Sequence, residues 1–146
     1  MTATSYRQMV GAVALVLWAS SLMLPAVTMC PDIVWPGWHV AFVGPLGLII
    51  GQFGWYANPF LLWISLRLLF QYRAGVTGGL ICLVLALSSF LWTGIPGFQT
   101  PAIICERNIG FYVWIASAVL LAAAAFIEKF LDPAKREMSI EMTQNH

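Results

Sequence analysis

Four stretches of this chain, residues 8–31, 33–66, 74–105 and 108–127, contain no Asp, Glu, Lys or Arg. A hydrocarbon core about 30 Å thick is crossed by roughly 20 apolar helical residues, so each stretch meets the length requirement for a span. Lipid offers the backbone no hydrogen-bond partners, which leaves helices or a closed barrel. Period-2 alternation is absent and Leu, Ala, Ile and Val dominate, so the expectation is helical. The whole chain is 60% hydrophobic and 9% charged. Soluble domains carry about a quarter charged residues, too many for this composition to match. A formal net charge of +1 argues against nucleic acid as a partner.

The expected fold is an all-α integral membrane protein: a four-transmembrane-helix bundle with one additional short interfacial helix. The spans are placed at about 9–27, 38–57, 75–95 and 109–130. The first is read as a retained helix, because no small-x-small cleavage site follows it. Residues 38–72 are too long for one crossing at 1.5 Å rise per residue. The sequence Ala57-Asn58-Pro59 marks a break, with Asn58 as cap and Pro59 at the first helical position. The piece 59–72 is then an interfacial helix, with a fifth span as the alternative. Both termini fall in the cytoplasm by the positive-inside rule, which groups Arg7, Arg67, Arg73, Lys129, Lys135 and Arg136 inside and leaves Arg107 outside. Residues 1–131 form a single membrane domain, and 132–146 a flexible cytoplasmic tail.

Several residues stand out against this background. Cys30 and Cys105 fall in the two outer loops, so a disulfide between them is expected; Cys82 falls inside a span as a packing residue. Gly44, Gly47, Gly51 and Gly54 lie on one face of the second helix. Small residues at such spacing let backbones approach in lipid, with the Ala-rich stretch 116–125 as the natural partner and a homodimer face as the sharper alternative. Gln52 is expected to hydrogen-bond across helices. Arg67 and Arg73 face Glu128 at the inner level, as an ion pair or as a lipid-headgroup contact. Asp32, Trp35, Trp38, His39, Glu106 and Arg107 gather at the outer side as candidates for recognition. One His and two carboxylates without ligand spacing do not make a metal or hydrolytic site. No catalytic set, cofactor site or metal site is expected.

Two stretches carry a resemblance. Gly51-Gln52-Phe53-Gly54-Trp55-Tyr56-Ala57-Asn58-Pro59 and Gly110-Phe111-Tyr112-Val113-Trp114-Ile115-Ala116-Ser117 resemble segments of a family of small uncharacterised bacterial four-span inner-membrane proteins. The resemblance covers about 38–130 and implies a bacterial inner-membrane location. It implies no function.

The functional expectation is a non-enzymatic inner-membrane protein acting by protein–protein interaction, as an accessory subunit or a toxin-immunity protein. Its partners are the bilayer and another membrane or periplasmic protein, with a homo-oligomer as an alternative. A small oligomeric transporter or channel is the second reading. A membrane thiol or quinone redox protein is the third, disfavoured by the lack of paired cysteines.

Overall fold

The computed structural model describes residues 3–95 and 102–130, in five α-helices and four short strands. The order is α1 (Ala3–Met23), β1 (Pro25–Met29), β2 (Ile33–Pro36), α2 (Gly37–Val43), α3 (Ala57–Leu69), α4 (Val76–Ser88), β3 (Gly94–Ile95), β4 (Ala102–Arg107) and α5 (Ile109–Phe130). Two 3₁₀ segments, Gly44–Ile50 and Gly54–Tyr56, link α2 to α3, and a third, Ser89–Leu91, extends α4.

Helices α1, α3, α4 and α5 pack into the main core. Their buried positions follow helical spacing: Leu61, Ile64, Ser65 and Leu68 in α3, and Gly79, Cys82 and Ala86 in α4. Along the middle of α5 the buried residues are Ser117, Ala118, Leu121, Ala122, Ala124 and Ala125, a wide stripe of mostly small residues. Small surfaces bring axes close. A Cβ on Gly79 would lie 3.0 Å from Ala125 Cβ, and one on Gly11 would lie 2.8 Å from the Ser65 carbonyl oxygen. Successive core helices run in opposite directions. Gly110 at the start of α5 abuts Leu24 and Pro25 just after α1, while Arg7 near the start of α1 reaches Glu128 near the end of α5.

One end of the bundle carries an antiparallel sheet in the order β2-β1-β4-β3. Pairing sets Thr28 opposite Val34 on one side and Glu106 on the other. Val27 and Met29 point into a second small core with Trp35, Val40, Val43 and Ile104. The Cys30–Cys105 disulfide is present, joining the end of β1 to β4 with Cα atoms 5.6 Å apart. Asn108 secures the sheet to α5: its N–H donates to the Ala26 carbonyl and its Nδ2 to Thr28 Oγ1, both at 2.8 Å.

The expected four-span bundle is overturned. Among the described residues one helix, Ile109–Lys129, is long and apolar enough to cross a membrane, with mean hydropathy 2.1. The expected span 38–57 is broken. Pro45 lacks a backbone N–H and Gly51 sits at φ +74°, a left-handed position where glycine ends the 3₁₀ segment at no steric cost. The segment also begins and ends at the sheet: Gly37 packs on Ser21, and Gln52 Nε2 donates to the Gly94 carbonyl at 2.7 Å. It is an excursion, and α3 then runs the length of the core. The expected interfacial helix 59–72 is therefore a core element, with Leu61, Ile64 and Leu68 at 0–1% exposure. The expected all-α fold missed the sheet as well. The expected tail 132–146 lies outside the described residues, with Lys135 and Arg136.

Candidate functional site: a tryptophan and asparagine pocket

Where the bundle meets the sheet, four of the seven tryptophans gather around Asn58. Trp18 from α1 and Trp114 from α5 both donate their Nε1–H to Asn58 Oδ1, each at 2.9 Å. Asn58 Nδ2 in turn donates to the Trp55 carbonyl at 2.9 Å. This assigns the amide orientation without ambiguity, because the oxygen faces two donors and the nitrogen an acceptor. Trp55 Nε1 donates to the Ala41 carbonyl at 2.6 Å. Its indole lies where a side chain on Gly44 would go, so only glycine fits there. Gly54 is similarly constrained: an added Cβ would lie 2.8 Å from Ser89 Cβ and 3.1 Å from the Trp92 ring.

These contacts enclose a half-open cavity of about 60 Å³ between α1, α2, α4, α5 and the start of α3. Its walls include Val40, Trp55, Asn58, Trp92, Phe111 and Trp114, with no ionisable side chain among them. Ser21 and Ser89 also line it, but both hydroxyls donate within their own helices, to the Trp18 and Ala86 carbonyls. Trp92 differs from its neighbours. Its Nε1 is buried and meets no acceptor. With no charged or titratable side chain in its walls, this cavity is chemically suited to holding a neutral molecule.

The two motif stretches meet here, since Asn58 belongs to the first and Trp114 to the second. Asn58 does not cap α3, however. It is the second residue of that helix, Tyr56 occupies the cap position, and no side chain caps it. The glycines do not form a stripe facing α5. Gly44 and Gly47 are buried against Trp55 and Gln52 of their own segment, Gly54 packs on Ser89 and Trp92 beyond α4, and Gly51 is exposed, so the four do not present one shared face. The Ala-rich partner surface on α5 is met instead by Gly79.

At the opposite end, Glu128 pairs with Arg7, not Arg67: Arg7 Nε lies 2.7 Å from Glu128 Oε1. Glu128 Oε2 also accepts from the Ala74 N–H at 3.0 Å, so one carboxylate ties α1, α5 and the start of α4. Arg67 instead donates to the Arg73 carbonyl and lies over the Trp63 ring at 5.0 Å and the Tyr72 ring at 5.9 Å.

The outer candidates divide. Arg107 is structural, donating to the Phe90 and Trp92 carbonyls at 2.8 Å and lying over the Phe90 and Phe111 rings. His39 stacks on Trp35 at 4.3 Å and on Trp38 at 5.1 Å. Asp32 sits in the exposed turn before β2, and Glu106 is exposed on β4. Among the described residues, no group of three or more His, Cys, Asp or Glu could hold a metal ion. Cys82 is fully buried, its thiol donating to the Ala57 carbonyl. Sequence reasoning missed the cavity because its walls come from segments dozens of residues apart, joined only by the fold; an isolated Asn between tryptophan-bearing segments was the available signal.

No family model, curated protein or solved structure matches the chain.

Proposed function

We propose that the protein is a non-enzymatic membrane protein that works by binding another protein through its stapled sheet. Lipid as the surroundings of the helical layer is supported by what those helices turn outward. Val16 on α1, Phe70 just after α3, and Val84 and Leu91 on α4 and its extension are 63–82% exposed. Large apolar side chains exposed in such number belong against lipid or protein. The charged side chains described lie at the two ends of the bundle, with Arg7, Arg67, Arg73 and Lys129 away from the sheet. By the positive-inside rule this excess favours the end away from the sheet as the cytoplasmic one, with the sheet on the outer side of a bacterial inner membrane. Arg67, held among Trp63 and Tyr72, then sits at headgroup level, where aromatic and basic side chains are favoured.

The observation that carries the binding reading is β2. It is an edge strand, and Ile33 and Val34 on it are 59% and 55% exposed. Proteins normally protect such an edge, and an unprotected one is a template for strand addition by a partner. The disulfide holds the neighbouring strand in place, so little ordering is needed on binding. A photo-crosslinking residue at position 34 is expected to trap a discrete protein adduct in cells, and one at exposed Thr77 at the far end is not. Absence of any adduct from positions 33, 34 and 38 would defeat the reading.

A further inference from the structure

Pro59, Phe60 and Trp63 of α3 line an open groove of about 360 Å³. Arg67 follows one turn beyond Trp63 on the same side of the helix, opposite the buried Leu61, Ser65 and Leu68. Trp63 joins the groove to the cation, since the Arg67 guanidinium carbon lies 5.0 Å from its ring centroid. The ring is seated against α4, where a Cβ on Gly78 would lie 3.3 Å from Trp63 Cζ3. Arg67 is held as well: the Tyr72 ring flanks it at 5.9 Å, and its Nε–H donates to the Arg73 carbonyl at 3.2 Å in an exposed bond. No carboxylate among the described residues is left for it. Glu128 is taken by Arg7 and the Ala74 N–H, and Asp32 and Glu106 lie at the sheet end. The two terminal amino groups of a guanidinium are spaced to meet two oxygens of one phosphate.

We infer that this face of α3 holds one anionic glycerophospholipid, with its phosphate on Arg67 and an acyl chain in the groove of Trp63, Phe60 and Pro59. Charge and depth both fit. A cation without a carboxylate partner, set among aromatic rings at headgroup level, favours an anionic headgroup. Helix α3 starts beside the sheet and ends toward the basic end, so Trp63 lies about 6 Å deeper than Arg67 and Pro59 about 12 Å deeper. A phosphate on Arg67 therefore sends its chain along the groove toward the middle of the bundle, the direction of a lipid in the inner leaflet. A soluble anion would use the arginine and not the groove, and a neutral lipid the groove and not the arginine. The inference rests on lipid as the surroundings of the helices and is independent of the β2 edge.

The test uses the full chain in a neutral detergent, titrated with phosphatidylglycerol brominated on the upper part of its acyl chains and, in parallel, with phosphatidylcholine carrying the same bromines. Bromine quenches nearby indole fluorescence. The expected result is saturable quenching by both lipids, with phosphatidylglycerol bound about fivefold more tightly, the worth of one basic residue at a membrane surface. The saturable part should be missing in Trp63→Phe. Arg67→Gln should make the two lipids equal, whereas Lys129→Gln, a change at an exposed cation of the same end, should keep the preference. Glycerol 3-phosphate, which has no chains, should not displace the lipid at equal concentration. Because the two lipids are compared on the unaltered chain, the test stays decisive if a variant does not fold. Equal affinity for both lipids would overturn the site while leaving lipid as the surroundings of the helices; no quenching by either lipid would overturn both. Saturable quenching that survives Trp63→Phe, equal effects of Lys129→Gln and Arg67→Gln, or displacement by glycerol 3-phosphate would each overturn the proposal.

Discussion

Asn58 shows how one side chain can hold three elements together. Its oxygen serves indoles from α1 and α5, and its nitrogen serves the backbone leading into α3. Removing the acceptor strands two donors, and a stranded buried donor costs more than a lost bond. Asn58→Leu is expected to destabilise the protein by about 2–6 kcal/mol, from one to three for each stranded donor. Trp18→Phe alone should cost about 1 kcal/mol. Combining the two should cost less than the sum, because the second change removes a donor already unpaired. Thermal unfolding in detergent measures all three, and strict additivity would show that the shared bond is not what holds this corner. The residue type was legible as a helix-start signal. The role was not, because both indole partners lie far away in sequence, at separations of 40 and 56.

Among the elements, α4 and α5 show what the small residues do. Gly79 meets Ala122 and Ala125 so closely that an added Cβ would lie 3.3 and 3.0 Å from atoms of those residues. Gly79→Leu must push the helices apart, and an overpacked contact typically costs about 1–3 kcal/mol. Val84→Ala, on the same helix at 63% exposure, is expected to change stability little. A loss of stability with Val84→Ala matching that with Gly79→Leu would contradict this assignment of faces. The Ala-rich stretch of α5 was recognisable as a close-packing surface before the fold was known. Its partner was not, because several glycines fit the same spacing rule, and those from 44 to 54 sit in a broken segment that does not face α5. Pro45 was the local sign that this segment would not run as one helix.

At the scale of the whole molecule, two ends differ in chemistry. One has the disulfide-linked sheet with exposed Ile33 and Val34, and the other has the Arg7–Glu128 pair and Arg67. In intact cells, a membrane-impermeant thiol reagent is expected to modify Val34→Cys. Thr77→Cys should react only after the membrane is opened. Cys82 is buried and should remain silent in both variants. Equal labelling of both positions in intact cells would exclude the proposed orientation.

The sequence by itself determined the apolar, charge-poor character of the chain and the helices near both ends of the described region; it also pointed to the Cys30–Cys105 pairing, though through a span count that did not hold. Those follow from composition, from hydropathy and from which loops can share a side. Only the tertiary structure decided that 37–56 turns back at the sheet, that 57–69 fills the core, and that Arg7 takes Glu128. Such outcomes depend on which apolar surfaces fit together and which polar atoms remain to be matched. Contacts between residues dozens of positions apart settle both, and no local pattern records them.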